Sequence, residues 1–189
     1  MKPYSFAGKH IIVTGATGGI GTALVKQLAK SGARLALSAR SETNLEDLIK
    51  TLPQKGNIVS ISADLSVPGE AKKVADKAIK DLNHVDVLFN LAGVGYFALM
   101  EEVTEDNMRY LFELNTFSPI VLTSALLPHM TRRGSGRIIN IVSCAGRIPI
   151  PTEGIYGGSK SAFAIMANTM RFELAPKNID ILNIYPGTA

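Results

Sequence analysis

Tyr156 and Lys160 stand four residues apart in an apolar stretch, Ile155 to Leu174, that reads as a helix. On a helix they share one face, a single turn apart. A free tyrosine titrates at about 10 and a lysine at about 10.4. An ammonium held beside a phenol favours the phenolate, and bringing the tyrosine to neutrality takes about 4 kcal/mol of differential stabilisation. A partly desolvated lysine, helped by a cationic cofactor, could supply that. The pair would then be a proton donor and acceptor suited to a carbonyl or alcohol oxygen.

A second group surrounds the glycine-rich run Thr14-Gly15-Ala16-Thr17-Gly18-Gly19-Ile20-Gly21. Its spacing is G-x-x-x-G-x-G. Glycines let a phosphate approach the backbone, and the N–H groups at the start of the following helix would face that phosphate. Later strand ends carry further candidates. Ser38-Ala39-Arg40 has no acidic residue for a ribose 2′-hydroxyl, although Glu42 follows closely; Arg40 suits a 2′-phosphate, which favours NADP(H) while leaving NAD(H) open. Asp64 and Leu65 are placed to reach an adenine ring, although Asp64 could equally form a local turn. Asn90-Leu91-Ala92-Gly93 offers small residues against which a ribose could lie. Asn115 is a poor helix former, and Pro119, four residues on, removes the N–H that its carbonyl would take. A kink there would free the carbonyl for a water molecule. Ser143 could donate a hydrogen bond to a substrate carbonyl, while the neighbouring Cys144 reads as a small buried apolar residue.

These residues need a frame. Strand-like runs at His10–Thr14, Arg34–Ala39, Asn57–Ser62, Val85–Leu91, Arg137–Val142 and Asp180–Ile184 alternate with helical runs. The helices are Ile20–Ser31, ending at Gly32; one capped by Ser41 and stopped by Pro53; one capped by Ser66 with Pro68 in its first turn; one from Thr104 or Asp106 to about Thr131; and Ile155–Leu174. Strict alternation predicts an α/β fold, a doubly wound parallel sheet with ligands at the carboxyl ends of the strands.

The 189 residues fit a single domain, 46% hydrophobic and 19% charged. No apolar run is expected to reach membrane-spanning length. The lone Cys144 fits a reducing compartment, and a cytoplasmic location is expected. The net charge of +4 is scattered, which argues against nucleic acid as a partner. His10, His84 and His129 lack metal-ligand spacing, and no G-x-S-x-G elbow supports a hydrolase.

Taken together, Thr14 to Gly21, Asp64, Asn90 to Gly93, Asn115, Ser143, Tyr156 with Lys160, and Pro186-Gly187 resemble the short-chain dehydrogenase/reductase family along the whole chain. The resemblance implies a Rossmann fold and an NAD(P)-dependent oxidoreductase. It implies a catalytic tetrad of Asn115, Ser143, Tyr156 and Lys160. It implies cofactor contacts from Thr14, Gly15, Thr17, Gly19, Ile20, Gly21, Arg40, Asp64, Leu65, Asn90, Ala92, Gly93, Tyr156, Lys160, Pro186 and Gly187. Leu91 departs mildly, since a second asparagine is common there. The family usually continues past Pro-Gly with a substrate-covering segment and a seventh strand, so the chain is expected to be C-terminally incomplete. A carbonyl or secondary alcohol on a partly apolar small molecule is the expected substrate, facing Tyr96, Cys144, Ile148 and Ile150. Dimers or tetramers through the Asn107–Thr131 and Ile155–Leu174 helices are also implied. A non-catalytic NADP(H)-binding regulatory or assembly protein is the alternative.

Overall fold

A computed structural model describes residues 4–53 and 57–187. Six parallel strands, β1 (His10–Thr14), β2 (Arg34–Ala39), β3 (Ile58–Ser62), β4 (Val87–Asn90), β5 (Gly136–Ile141) and β6 (Ile179–Ile184), pair in the order β3-β2-β1-β4-β5-β6. The order reverses between β1 and β4, which opens a crevice at their carboxyl ends. β1 and β2 are short, nearly continuous apolar runs, as strands covered on both faces must be. On one face, α1 (Gly19–Lys30) and α2 (Glu42–Lys50) bury Val25, Leu28, Leu45 and Leu48 against Ile11, Val13, Leu35 and Leu37. On the other, α3 (Glu70–Leu82), α5 (Ser118–Arg133) and α6 (Gly154–Leu174) bury Val74, Leu122, Leu126 and Phe163 against Ile12, Leu88 and Ile138. This is the doubly wound Rossmann architecture expected from the alternation. Among the described residues the sheet has six strands and no seventh.

Several local expectations change. Ser66 does not cap a helix: both its N–H and its hydroxyl donate to Asp64 Oδ1, at 3.0 and 2.7 Å, and α3 starts after Gly69, beyond Pro68. β4 is shorter than its apolar run, because Asp86 turns its carboxylate onto neighbouring groups and Leu91 already belongs to the following loop. Thr104 does cap the long helix, accepting the Asn107 N–H at 3.2 Å. That helix is not uniform: α4 (Glu105–Phe112) passes through a π-turn, Glu113–Phe117, before continuing as α5. The Ser118 N–H bonds to the Glu113 carbonyl, five residues back. The expected kink is therefore accommodated by a wider turn, just ahead of the proline that cannot donate. The full run Glu105–Arg133, 29 residues, is long and apolar enough to cross a bilayer by length and composition. This corrects the expectation from the sequence; here half of its most apolar window is buried inside the fold.

At the amino ends of the strands, Asp86 ties three elements together. It accepts the His10 N–H at 2.9 Å and an Arg133 N–H at 2.8 Å, with His84 Nε2 at 3.4 Å. Burial alone would raise its pKa, but the His10 N–H and the Arg133 guanidinium hold it below the usual carboxylate value. The stabilisation is therefore present above the ordinary carboxylate range and is lost as pH falls through the lowered value. We expect Asp86→Ala to cost about 2 kcal/mol near neutrality, measured by urea denaturation, with a difference from wild type that shrinks in acid.

Candidate active site

The crevice holds two adjoining cavities. The first, of about 350 Å³, is bordered by the glycine turn (Gly15, Thr17, Gly18), by Ser38, Ala39 and Arg40 after β2, and by Leu65 after β3. The second, of about 190 Å³, is bordered by Ile20, Ser143, Tyr156, Lys160, Pro186 and Gly187. Leu91, Gly93 and Val94 border both. Six elements far apart in sequence thus converge on one elongated trough over the loop that follows β4.

Close approach shapes the second cavity. α6 and the short helical turn Cys144–Gly146 touch at Gly157, where an added Cβ would lie 2.7 Å from the Ala145 carbonyl oxygen. Only glycine lets the segment bearing Ser143 sit against the helix bearing Tyr156. At Gly93 an added Cβ would lie 3.0 Å from both Lys160 Nζ and Asn115 Oδ1. The bare backbone there leaves the space over the lysine open.

Lys160 is 4% exposed, and its Nζ donates to the Ile141 carbonyl at 3.2 Å. Burial lowers its pKa from 10.5 to about 8. Ser143 Oγ accepts the Ala145 N–H at 3.1 Å, which leaves its own O–H free to donate. Asn115 is fully buried. Its Oδ1 accepts the Val94 N–H, and its Nδ2 donates to the Val94 carbonyl (both 3.0 Å) and to Ser159 Oγ (3.1 Å). Ser159 Oγ donates to the Tyr156 carbonyl at 2.7 Å, and Thr116 Oγ1 to the Ser159 carbonyl at 2.8 Å. The π-turn is thereby bolted to α6 between Tyr156 and Lys160.

Other expected site residues play varied parts. Gly15, Thr17, Arg40, Leu65, Ala92 and Gly93 border the first cavity; Ile20, Pro186 and Gly187 border the second. Thr14 lies behind the glycine turn, its Oγ1 accepting the Leu91 and Ala92 N–H groups at 3.1 and 3.2 Å. Gly19 opens α1, and Gly21 packs under the turn against the Gly15 carbonyl. Asp64 is held below the ordinary carboxylate range by the Ser66 hydroxyl and N–H, with burial opposing and Arg40 adding a smaller pull. Asn90 points its side chain into the core, toward Asn140 and Thr123. Ile148 and Ile150 border an adjacent cavity of about 320 Å³ with Arg147, Glu153 and, on either side of Tyr156 in the chain, Gly154 and Gly157. Tyr96 receives a hydrogen bond from Asn107 Nδ2 at 2.8 Å. Reading the sequence missed Ser38, Thr116 and Ser159. Of these, Ser159 carried a signal in its place directly before Lys160, and Ser38 only in its place at the end of a strand.

The trough fits a dinucleotide on two observations. Ser38 Oγ is completely buried with no hydrogen-bond partner among the described residues, and it borders the first cavity. A bound polar ligand would satisfy it. The open floor at Gly93 joins this end to the lysine end.

The chain belongs to the short-chain dehydrogenase family: residues 9–189 match the family model described as short chain dehydrogenase. It is 35% identical over 182 residues to an uncharacterized oxidoreductase of Methylorubrum extorquens, covering 95% of this chain and 73% of that one. It spans little more than half the length of several other curated relatives. Among solved structures it is similar to a metagenomic short-chain oxidoreductase in complex with NADP, with TM-score 0.91 and 30% identity over 98% of this chain and 84% of that one. It is also similar to an NAD+-bound xylitol dehydrogenase, with TM-score 0.90 and 32% identity over 97% of this chain and 72% of that one.

The buried lysine gives a test without any ligand. Between pH 8 and 10.5 the unfolded chain keeps a proton on Lys160 that the folded chain has lost, so folding stability rises with pH in that window. Below it, burial costs roughly 3 kcal/mol. We expect Lys160→Met to be more stable than wild type at pH 7 and the gap to close by pH 10.5, in paired urea melts. Parallel curves would contradict the buried amine.

Proposed function

We propose that this chain is the core of an NADP(H)-dependent oxidoreductase that interconverts a carbonyl and a secondary alcohol on a partly apolar small molecule. The observation that carries this reading is the continuous trough, with Arg40 at one end and Ser143, Tyr156 and Lys160 at the other. The family and the oxidoreductases it resembles support the reaction class.

A bound nicotinamide would supply the hydride for reduction or take it up for oxidation. The protein's own groups act around that transfer. The free Ser143 O–H and the Tyr156 O–H hydrogen-bond the substrate oxygen where negative charge grows. Tyr156 passes its proton to that oxygen, or accepts one in the oxidising direction. The Lys160 amine, anchored on the Ile141 carbonyl, has two further N–H groups for a ribose hydroxyl and for the proton path to Tyr156. With its pKa near 8, Lys160 can gain or lose a proton close to neutrality. Asn115 keeps the loop over the trough and α6 at a fixed separation, and Pro119 leaves its main-chain carbonyl without the usual helical donor.

At the other end, Arg40 is exposed at the mouth and Ser38 Oγ lies deeper in. A guanidinium and a hydroxyl suit a ribose 2′-phosphate. Asp64 lies near enough to feel Arg40, which tempers that preference. Tyr110, Phe117 and Val121 on the long helix, and Ile165, Met166 and Phe172 on α6, are exposed apolar side chains that support a homo-oligomer through these helices.

Two outcomes test this. Tyr156→Phe should bind NADPH as wild type does and lose turnover by about 10²-fold or more, in single-turnover assays over a panel of apolar ketones. Arg40→Ala should weaken NADPH by about tenfold, ~1.4 kcal/mol, and leave NADH affinity nearly unchanged in fluorescence titrations. Equal losses for both cofactors would overturn the NADP assignment.

A further inference from the structure

Asparagine is depleted in strands, yet β4, β5 and β6 each carry one at the same level of the sheet. Asn90 is in register with Asn140, and Asn140 with Asn183. Their side chains form a directed relay. Asn90 Nδ2 donates to Asn140 Oδ1 at 2.9 Å, Asn140 Nδ2 to Asn183 Oδ1 at 2.9 Å, and Asn183 Nδ2 to Asn168 Oδ1 on α6 at 3.1 Å. Asn90 Nδ2 also reaches Thr123 Oγ1 on α5 at 3.3 Å. The strip crosses beneath three strands from one covering helix to the other, in a core otherwise built from residues such as Ile138, Leu126 and Phe163. Asn90 Oδ1 is left buried without a partner among the described residues.

Such a strip is a poor way to gain stability, because apolar groups of the same shape would serve about as well. What it does supply is register. A slip of one residue between neighbouring strands would part the amides and turn them to the opposite face. The strip also sits at the last level before the crevice. One residue further along β5 is Ile141, whose carbonyl holds Lys160, and three further is Ser143. Three residues beyond Asn90 is Gly93, and three beyond Asn183 is Pro186, whose carbonyl accepts the Cys144 N–H at 2.9 Å.

We propose that the Asn90–Asn140–Asn183–Asn168 relay is a register lock, and that Asn140 and Asn183 are positioning residues that hold the Ile141 carbonyl, and through it Lys160, at the catalytic end. The proposal rests on the reading of Lys160 and Ser143 given above. None of the four side chains touches the reacting atoms.

The test compares full-length variants by thermal melts, NADPH titration, the pH profile of kcat and the Lys160 contribution to stability between pH 8 and 10.5. Asn140→Leu alone orphans a donor and an acceptor and should lower both melting temperature and kcat. The combination Asn90→Leu, Asn140→Leu and Asn183→Leu should recover most of the melting temperature. It should still keep kcat down tenfold or more and move the Lys160 transition upward, toward that of an ordinary lysine. Recovery of stability and kcat together, with the Lys160 transition unmoved, would overturn the proposal. Asn140→Asp guards against a misfolded triple variant, since its neutral carboxyl offers one acceptor and one donor and can keep both links. Its kcat should fall with an added limb as that carboxyl ionises, and a profile of wild-type shape would overturn the proposal. If wild type turns over no carbonyl at all, the functional reading fails, and the Lys160 transition alone still decides the role of the relay.

Discussion

One ammonium group sits where water hardly reaches, and much of the crevice exists to make that tolerable. Lys160 is 4% exposed and bonded to the Ile141 carbonyl, with its pKa drawn down to about 8. A buried amine is costly unless its hydrogens find acceptors. The carbonyl that receives it belongs to the last residue of β5, an interior strand paired with β4 on one side and β6 on the other. The space above it is kept open by Gly93 and bounded by Asn115. On the function proposed above, a ribose hydroxyl would give the amine a further partner, so that cofactor binding and the satisfaction of Lys160 would be one event.

The same economy runs through the π-turn. A regular helix at Glu113–Phe117 would meet Pro119 with an orphan carbonyl at Asn115 and no compensation. The wider turn instead lets three polar side chains within four residues, Asn115, Thr116 and Ser118, each find a partner: Val94 with Ser159, the Ser159 carbonyl, and the Leu65 carbonyl at 2.6 Å. Leu65 borders the first cavity and Ser159 precedes Lys160. One helical irregularity thereby links the two ends of the trough.

How much of this was legible in the chain itself follows from the range of the interactions. β1, β2 and the first turn of α6 were readable because apolar runs, glycines and the i, i+4 pair are local signals. Ser66 misled because Asp64, two residues away, competes for the same N–H and hydroxyl that a cap would use, and sequence alone does not say which partner wins. Ile148 and Ile150 follow Ser143 closely, but the short turn at Cys144–Gly146 folds the chain back and sends them to a different cavity. The three strand asparagines were visible singly and meaningless singly. Their relation depends on which strands are neighbours and on register, and both are tertiary facts. Ser38 could be named as a strand-end residue, but only the folded molecule shows its hydroxyl to be buried and unpartnered.

The π-turn has a further consequence for how this chain tolerates change in length. Five residues occupy a span that a regular helix would fill with fewer, so the segment carries the equivalent of one inserted residue. Loss of one residue between Glu113 and Phe117 would let the segment wind as a regular α-helix. Four residues at about 100° each advance the chain through nearly the same angle as five in the wider turn, so α4 and α5 would keep their faces and Leu111 its place in the core. What would go is the bulge, and with it the joint placement of Asn115, Thr116 and Ser118 on Val94, Ser159 and Leu65. The helix would survive the deletion, and the tie between the two ends of the trough would not.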